Sequence, residues 1–481
     1  MTRVISATRV ATLVGDFARS PAYAGLAEAL RLLVSDGRIP YGTRLPSERD
    51  LTAALAVSRT TVARAYADLR ERGYAEARRG SGTFTRLPGG RARQLDRVLT
   101  PRGGDDDQID LNCAATPSPP GLMAAYEAAV ADLPSYLSGH GYFPAGLPAL
   151  QQAIAATYDA RGLPTEPEQV MVTPGALAAT AVVAQACTGP GDRVLVETPG
   201  YPNAMRTFDR RAARVIGAPV DVDGWDLEGL GATVRQTAPR AVYLVPDFQN
   251  PTGNLMPDPD RERLAVLLAG ARTLCVVDEA HQALALEGQA MPRPLAAHVE
   301  AAGGEAVTIG SVSKAIWGGL RLGWLRAPRA RMDALAEARL TLDLGVPVLE
   351  QLVVLRLLGG AEEVLAAQRA RVREQRDRLA AAVRAQLPDW DFRLPEGGLA
   401  LWCHLPEPLA TPLAAEADTR GVVVAPGPVF ASDGGFGSFV RIPYTRPPEE
   451  LEEAVSRLAE AWAAVRGGQA PREPRDRVLV A

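Results

Sequence analysis

Lysine is almost absent from this chain. Of its 52 basic residues one is a lysine, Lys314, within the string GSVSKAIWGGLRLGW. Arginine cannot replace lysine where the amine must lose its proton, because the pKa of the guanidinium group is too high. A neutral amine attacks a carbonyl carbon and forms a Schiff base. The composition therefore favours a chemical role for Lys314 over the alternative, an ordinary surface lysine.

Groups that bind phosphate lie around Lys314 in the sequence. Ser311 and Ser313 precede it and Arg321 follows it, and hydroxyl and guanidinium groups bind phosphate oxygens. The string VTPGALAAT predicts a strand, a glycine turn and a helix start, where the backbone N–H groups of Gly175 and Ala176 form a phosphate cradle. A Schiff-base lysine must lie near such groups when its aldehyde is pyridoxal phosphate (PLP).

Three further polar side chains follow strand-like runs. In VVDEAHQ, Asp278 ends an apolar strand, where its carboxylate needs a partner such as a protonated pyridine nitrogen; a helix cap is the alternative. In VPDFQNPTGN, Asn250 lies in a turn that an Asx turn also explains. In VETPGYPN, Tyr201 is placed to stack on a flat cofactor, although an exposed loop tyrosine fits the string equally well.

The elements that must position these residues alternate in type. From Ile109 onward, apolar strand-like runs are separated by helical segments rich in Ala and Leu; the runs include QVMVT, DRVLVE, AVYLVP, LCVVDE and AVTIGS. This alternation predicts an α/β fold with a mainly parallel sheet. The polar residues follow the predicted strands at their carboxyl ends, where the active groups of such sheets meet.

The strings NPTG, VVDEAH, SVSK and GLRLGW, in this order, resemble the fold type I PLP-dependent aminotransferases over about residues 110–466. The resemblance implies a seven-stranded, mainly parallel sheet with a small C-terminal α+β subdomain at about 360–466. It implies PLP as cofactor and Lys314 as the catalytic residue and internal aldimine. The other implied roles are Asp278 on the pyridine nitrogen, Asn250 on the phenolic oxygen, Tyr201 stacked on the ring, Ser311, Ser313, Arg321 and the Gly175 and Ala176 amides on the phosphate, Tyr142 on the phosphate of a neighbouring subunit, and Arg441 on a substrate or effector carboxylate.

One position departs from that family. Its members usually carry a tyrosine shortly after the strand-end aspartate, and this tyrosine donates a hydrogen bond to the phenolic oxygen of the cofactor. In this chain His281 fills that spacing. Histidine can also donate a hydrogen bond, and its own titration could alter the behaviour of the bound cofactor. A buried structural histidine is the alternative interpretation.

The N-terminal end of the chain is basic and the remainder is acidic. Residues 1–86 hold 14 Arg and 8 Asp or Glu, a net charge of +6, whereas the rest carries a net charge of −10. Such asymmetry suggests an anion-binding module attached to something else. Helices are predicted over AYAGLAEALRLLVS, from LPSERDLTAALAV with Ser47 as cap, and over SRTTVARAYADLRERG between Ser58 and Gly73. The string YAEARRGSGTFT then predicts a hairpin.

This order of elements resembles the winged-helix domain of the GntR family of regulators; the alternative is a three-helix protein-binding module with a solvated arginine face. The resemblance implies double-stranded operator DNA as partner, with the N-terminal part of the third helix in the major groove. Relatives often carry another basic residue where this chain has Ala63. The candidate DNA-binding residues are Arg49, Ser58, Arg59, Thr60, Thr61, Arg64, Arg79 and Gly80.

These patterns predict a winged-helix domain at 1–85, a flexible linker at 86–108, the aminotransferase-like domain at 109–466 and a polar tail at 467–481. The four cysteines fit no metal spacing, so we expect reduced thiols and no metal site. No apolar run approaches the ~20 residues of a membrane span. The N-terminus lacks the apolar core of a signal peptide. We therefore expect a cytoplasmic protein with no membrane partner.

The combination of the two halves resembles the MocR subfamily of bacterial GntR-type regulators, which are typically head-to-tail homodimers. The leading hypothesis is a PLP-dependent DNA-binding regulator whose effector is PLP itself or an amino compound held by Arg441. The first alternative is a working aminotransferase with an accessory DNA-binding head. The second is a scaffold that binds DNA and has lost the cofactor.

Overall fold

The computed structural model describes residues 4–18, 20–35, 39, 42–78, 81–86, 108–211 and 213–467. These residues divide into two compact units, one within Met1–Leu95 and Ser118–Ala131 and the other within Asp96–Pro117 and Asp132–Ala481. Most of the predicted linker and of the predicted tail lies outside the described residues. The domain bounds stay predictions, and the grouping of 118–131 with the N-terminal unit was not foreseen.

The N-terminal unit is built from capped helices and a hairpin. Serine side chains accept hydrogen bonds at the helix starts: Ser47 Oγ from Asp50 N (3.2 Å) and Ser58 Oγ from Thr61 N (3.0 Å). Gly73, with φ +79°, ends the third predicted helix in the left-handed region that favours glycine. The elements are α1 (Ala7–Val14), α2 (Ala22–Ser35), α3 (Glu48–Leu55), α4 (Arg59–Glu71), β1 (Ala75–Arg78) and β2 (Gly82–Thr85).

Apolar side chains at helical spacing hold this unit together. Val62, Ala65, Tyr66 and Leu69 are all buried on one face of α4, and α2 and α3 pack against that helix. Strands β1 and β2 pair antiparallel as the predicted hairpin. Helix α5 (Leu122–Asp132) contributes Glu127 to this unit, where it pairs with Arg31 of α2. The α4 face and the hairpin agree with the sequence pattern, whereas α1 was not predicted.

The second unit is an α/β domain around an eight-stranded sheet. The strand order is β4-β11-β10-β9-β8-β5-β6-β7, and the pairs among β10, β9, β8, β5 and β6 are parallel. The sequence prediction of a mainly parallel sheet is confirmed. The eighth strand, β7, is a two-residue hairpin partner of β6 and is too short for a periodic pattern. The strands of this sheet are β4 (Val170–Thr173), β5 (Arg193–Thr198), β6 (Arg214–Asp221), β7 (Gly224–Trp225), β8 (Ala241–Leu244), β9 (Leu274–Asp278), β10 (Ala306–Ser311) and β11 (Gly323–Arg326).

Helices cover the sheet and short antiparallel strands follow it. Strands β12, β15 and β14 form a three-stranded sheet against α14–α16, in the region of the predicted small α+β subdomain. β13 pairs with β3 near the start of the unit. The remaining elements are β3 (Ile109–Asp110), α6 (Pro148–Ala160), α7 (Ala176–Cys187), α8 (Pro202–Arg210), α9 (Leu227–Thr237), α10 (Asp258–Ala271), α11 (Leu295–Ala301), α12 (Arg329–Leu340), α13 (Val348–Leu358), α14 (Ala361–Gln386), β12 (Ala400–His404), α15 (Ala410–Thr419), β13 (Val422–Val423), β14 (Ala425–Pro426), β15 (Phe439–Pro443) and α16 (Pro448–Arg466).

Two further features of the described residues concern membrane-spanning helices and the cysteines. Within the described ranges, no helix combines the length and the apolar character that crossing a bilayer requires. No disulfide joins the four cysteines, of which Cys187, Cys275 and Cys403 are buried and Cys113 is half-buried.

Candidate functional site

Lys314 follows the carboxyl end of β10. Its Nζ donates a hydrogen bond to the carbonyl oxygen of Ala114 (2.9 Å), and Thr116 Oγ1 donates to the Lys314 carbonyl oxygen (3.0 Å). Burial lowers the pKa of Lys314, because desolvation disfavours the charged amine, and the guanidinium groups of Arg441 and Arg321 act in the same direction. The surroundings therefore move this amine toward the neutral form that Schiff-base chemistry requires.

Asp278 ends β9 with its carboxylate buried, 5% exposed. Tyr243 OH donates to its Oδ2, and the Ala280 N–H donates to its Oδ1 (2.9 Å). Burial raises the pKa of Asp278. A cation next to a buried carboxyl offsets that cost, and a protonated pyridine nitrogen is such a cation.

An arginine and a glycine approach each other at the start of α7. Gly175 has φ +90°, and a Cβ at this position would lie 2.8 Å from Arg321 Nη2. Arg321 Nη2 in turn donates to the Pro174 carbonyl oxygen (3.2 Å). The Gly175 N–H donates to the Thr173 carbonyl oxygen (2.7 Å), so of the two predicted amides that of Ala176 is the better placed for an anion. Any side chain at Gly175 would displace the guanidinium from this helix end.

Ser311 ends β10, and Ser313 follows it by two residues. The Ser313 N–H donates to Ser311 Oγ (3.1 Å), and Ser311 Oγ donates weakly to the Leu322 carbonyl oxygen (3.4 Å). Ser313 Oγ is buried and has no hydrogen-bond partner among the described residues. A buried hydroxyl without a partner is usually satisfied by a ligand or a water molecule.

Arg441 lies in β15 and is fully buried. Its Nη1 donates to Asn250 Oδ1 (3.2 Å), its Nη2 donates to the Asn112 carbonyl oxygen, and its Cζ lies 5.0 Å from the centre of the Phe430 ring. Burial lowers the pKa of Arg441 to about 10, so the group keeps its charge at neutral pH. No carboxylate forms an ion pair with Arg441 within the part of the chain that the structure describes. This charge is therefore available for an anionic ligand.

Among the residues that the structure describes, His281 makes one hydrogen bond, from Nδ1 to the Phe248 carbonyl oxygen (3.0 Å). Burial lowers the pKa of His281 to about 4, so the ring is neutral near pH 7. Because a carbonyl oxygen only accepts hydrogen bonds, the single ring proton lies on Nδ1. In this arrangement the ring proton of His281 is donated to the Phe248 carbonyl oxygen, and the role of His281 toward the cofactor stays a prediction. Its proton is already used, and its titration lies far below neutrality.

Two predicted aromatic residues have fewer contacts with the rest of the site. Tyr201 is half-buried just before α8, and its OH accepts a hydrogen bond from Asn203 Nδ2 (3.1 Å). Tyr142 is 58% exposed and stacks on His140, with ring centroids 5.7 Å apart. The single chain brings Tyr142 to none of the other predicted site residues for which contacts are described.

Five of the predicted DNA-binding residues, Ser58, Arg59, Thr60, Thr61 and Arg64, lie at or near the N-terminal end of α4, and Arg49 lies in α3. Arg49, Arg59, Thr60 and Arg64 are exposed. The Arg59 guanidinium lies 3.7 Å from Glu48, and the Arg64 guanidinium lies 5.0 Å from the centre of the Tyr23 ring. Ser58 and Thr61 cap the helix, with their hydroxyl oxygens 2.8 Å apart. Arg79 and Gly80 lie outside the described residues.

Sequence reasoning missed three groups of the site. They are the Tyr243 hydroxyl on Asp278 and the carbonyl groups of Asn112 and Ala114, which accept from Arg441 and Lys314. A signal for Tyr243 was present, because a tyrosine inside the apolar run AVYLVP needs a partner for its buried hydroxyl. No side-chain pattern predicts that the backbone carbonyl groups of Asn112 and Ala114 accept these hydrogen bonds.

Comparison with known protein families gives two matches. Residues 126–458 match the family described as Aminotransferase class I and II. The chain belongs to the aminotransferase class I and II family. In addition to this aminotransferase domain, residues 22–85 match the family described as Bacterial regulatory proteins, gntR family. Both resemblances drawn from the sequence are thereby confirmed.

Proteins named as regulators are among the relatives of this aminotransferase-family chain. It is 28% identical to the uncharacterized HTH-type transcriptional regulator YdcR of Escherichia coli, over 91% of this chain and 98% of YdcR. It is 30% identical to the probable rhizopine catabolism regulatory protein MocR of Rhizobium meliloti, over 65% of this chain and 66% of MocR. The prediction of a MocR-type combination of domains is confirmed.

The fold is similar to that of a solved aminotransferase. The crystal structure of LysN, the alpha-aminoadipate aminotransferase of Thermus thermophilus, complexed with N-(5'-phosphopyridoxyl)-L-leucine, is 29% identical with a TM-score of 0.70, covering 75% of this chain and 94% of LysN. This likeness and the gntR match confirm the predicted fold class, a fold type I domain with an N-terminal winged helix.

Homologues in the aminotransferase class I and II family are PLP-dependent, and the residues of this chain fit that cofactor. The buried Asp278 carboxylate suits the pyridine nitrogen. The Arg321 guanidinium beside Gly175 and the unpartnered Ser313 hydroxyl suit the phosphate. Lys314, with its pKa lowered, suits the aldehyde.

Proposed function

We propose that this protein is a PLP-dependent, DNA-binding transcription regulator of the MocR type. The observation that carries the proposal is Lys314, the one lysine, which is buried and feels the charges of Asp278 and Arg321, in a chain that also carries a gntR domain. The proposed site of action is operator DNA in the bacterial cytoplasm. DNA binding is assigned to the exposed start of α4 and to the hairpin wing.

Lys314 would hold PLP, which when bound would supply a carbonyl-type carbon able to exchange one amine for another. The chain holds and orients the cofactor: Asp278 binds the pyridine nitrogen, and Tyr201 stacks on the ring. Arg321, Ser311, Ser313 and the Ala176 N–H bind the phosphate. Lys314 Nζ, moved toward its neutral form by burial, is the nucleophile. Arg441 binds the carboxylate of an incoming amino compound in a bidentate manner.

The effector is PLP itself or an amino compound that enters at Arg441. Either ligand regulates DNA binding only through a difference in its affinity for two conformations of the protein. We further propose a head-to-tail homodimer in which Tyr142 reaches the phosphate of the neighbouring subunit. The exposure of Tyr142 and its lack of contacts with the predicted site residues in one chain support this assignment.

A working aminotransferase with an accessory DNA-binding head is the second candidate. The likeness to the alpha-aminoadipate aminotransferase LysN favours it, as do the groups around Lys314 that fit PLP, although His281 stands where the family usually has a tyrosine. It predicts steady formation of a new amino acid and keto acid, and no sequence-specific DNA affinity. The regulator predicts specific DNA affinity that depends on occupation of the site.

The deciding experiment measures affinity for the DNA upstream of the protein's own gene, at one fixed salt concentration, with and without PLP. An affinity that changes with PLP identifies the cofactor as the signal. Tight binding that ignores PLP identifies an amino compound as the effector, to be found by screening ligands against an Arg441→Gln variant. Turnover of amino acids without specific DNA binding would contradict the regulator and establish the enzyme.

A further inference from the structure

A small cavity in the aminotransferase domain shares a lining residue, Ala114, with the surroundings of Lys314. Its volume is about 10 Å³, and Asn250, His281 and Ala114 are among the residues that line it. The Ala114 carbonyl oxygen accepts the hydrogen bond of Lys314 Nζ. Ala114 therefore links this cavity to the amine of Lys314, and the volume leaves room for about one small polar group.

Asn250 lines this cavity and carries a donor that is not yet used. Its Oδ1 accepts a hydrogen bond from Arg441 Nη1 (3.2 Å), and a guanidinium group only donates, so the orientation of the Asn250 amide is set. Nδ2 is then the remaining polar atom of that side chain. It makes no hydrogen bond within the described ranges.

His281 presents an acceptor. Its one proton lies on Nδ1, where it is donated to the Phe248 carbonyl oxygen. Nε2 is buried, carries a lone pair and has no partner among the described residues. Desolvation lowers the pKa of His281 to about 4; of the charged groups that face the ring, Lys314 and Arg441 act in the same direction and Asp247 opposes them. The ring therefore stays neutral and Nε2 stays an acceptor near pH 7.

We propose that Asn250 and His281 form a donor–acceptor pair that recognises a neutral hydroxyl group, the 3-hydroxyl of PLP, in preference to its oxyanion. The inference rests on the proposed binding of PLP at Lys314. A hydroxyl group accepts from Asn250 Nδ2 and donates to His281 Nε2, whereas an oxyanion only accepts and is repelled by the lone pair of Nε2. His281 thus holds a proton on the ring oxygen of the cofactor.

The consequence is a difference from the family pattern. A tyrosine at this position adds a second donor beside the asparagine, and two donors stabilise an oxyanion. Replacing the tyrosine by a histidine whose proton is already used changes one donor into an acceptor. His281 is therefore a specificity-determining residue for the protonation state of the bound cofactor.

The tautomer is tested on the protein without cofactor, by nuclear magnetic resonance of the full chain labelled with ¹⁵N-histidine. The chain has four histidines, and loss of a signal in His281→Gln assigns the resonances. We expect a protonated Nδ1 and a bare Nε2 for His281 at neutral pH. A proton on Nε2 would overturn the proposal, whatever the behaviour of PLP.

The effect on PLP is tested by absorption spectra of the bound cofactor in the wild type, His281→Tyr and His281→Phe. His298→Gln is the matched control, because His298 pairs with Asp258 (3.0 Å) on α10 and lies outside the site. We expect the near-ultraviolet band of the hydroxyl form to dominate in the wild type and in the control. In His281→Tyr the ratio of the visible band of the oxyanion form to that band should rise several-fold, with a smaller rise in His281→Phe.

Borohydride reduction of each sample separates the two possible failures. No adduct on Lys314 of the wild type contradicts the proposed function itself. An adduct in the wild type and in His281→Tyr, with the same ratio of the two bands in both, contradicts the donor–acceptor pair alone. The histidine spectra decide the tautomer even when His281→Tyr or His281→Phe fails to fold.

Discussion

Reactivity at the residue scale depends on burial around one amine. Lys314 lies near Arg441 and Arg321, so desolvation and like charge both lower its pKa. Arg441, also buried, keeps its charge because the pKa of a guanidinium group starts two units higher and falls only to about 10. The same environment therefore moves Lys314 toward its neutral form and leaves Arg441 charged. A site that binds an aldehyde at the lysine and a carboxylate at the arginine requires this combination.

Lys314→Ala should lose all borohydride-fixed PLP and the absorption band of the attached cofactor. No other lysine is available to replace it. Circular dichroism should show an unchanged fold, because the side chain makes a single hydrogen bond, to the Ala114 carbonyl oxygen. Mass spectrometry of the reduced protein checks the prediction, and a phosphopyridoxyl adduct on the variant would refute the assignment of Lys314.

Tyr243→Phe should weaken PLP binding by about 1–3 kcal/mol, because it removes one of two donors from a buried carboxylate that must stay charged toward the pyridine nitrogen. Tyr444→Phe is the matched control: it removes an equally buried hydroxyl, which donates to the Gly397 carbonyl oxygen instead (3.0 Å). The measurement is a titration with PLP. Equal affinities of the two variants for PLP would show that Tyr243 does not act through Asp278.

Glu197 is a buried acid on β5. It accepts hydrogen bonds from Trp225 Nε1 (2.7 Å), Val245 N–H (3.1 Å) and Gln249 Nε2 (3.1 Å). Burial nevertheless raises the pKa of Glu197 from 4.5 to about 7. A carboxyl with a higher pKa in the folded state stabilises the fold below its unfolded pKa, and this contribution is lost as the pH rises through the folded pKa.

The apparent stability of the wild type relative to Glu197→Gln should therefore fall as the pH rises from 4.5 to about 7. Melting temperatures of both proteins at matched pH values test this. Glu168→Gln, at an exposed carboxyl, is the control and should follow the wild type throughout. Parallel curves for the wild type and Glu197→Gln would mean that Glu197 does not titrate in this range.

At the scale of elements, the exposed start of α4 is the feature from which sequence specificity is expected. Arg59→Ala should weaken operator binding by about 1–3 kcal/mol, because an arginine in the first turn of a recognition helix makes paired hydrogen bonds to a guanine edge. Arg70→Ala removes the same charge from the exposed last turn of the same helix and should have little effect. Binding assays at one salt concentration compare them. Equal losses would indicate general electrostatic attraction, and no loss from Arg59→Ala would move recognition elsewhere.

Local patterns predicted most elements, and the exceptions have physical causes. The spacing of apolar residues and the polar residues that follow the strands predicted the parallel core of the sheet, three N-terminal helices and the hairpin. β7 has two residues and pairs with the adjacent β6, which leaves no period to detect. The grouping of 118–131 with the N-terminal unit involves the pair Arg31–Glu127, whose members are 96 positions apart in sequence. Likewise, the strings identified Lys314 and Asp278, but the hydrogen bond that fixes the proton of His281 needs Phe248 in three dimensions.

At the scale of the whole molecule, charge is divided between a basic N-terminal segment and an acidic remainder. The affinity of the full chain for DNA should fall linearly on a logarithmic plot as salt is raised, because each phosphate contact releases a bound cation. The ratio of affinities with and without PLP should change far less with salt, since it reflects a conformational preference. Salt titrations of both states test this, and a ratio that collapses toward one at moderate salt would indicate direct charge repulsion by the PLP phosphate.

The presence of a single lysine in this chain has a consequence for its reaction with an aldehyde. An aldehyde in excess condenses with exposed amines on most proteins, whereas guanidinium groups keep their protons and stay inert toward it. Apart from Lys314 and the four histidines, the basic side chains of this chain are all guanidinium groups. Side-chain condensation is thereby confined to one position per chain. Occupancy should therefore track the free aldehyde without a background of adducts on other side chains.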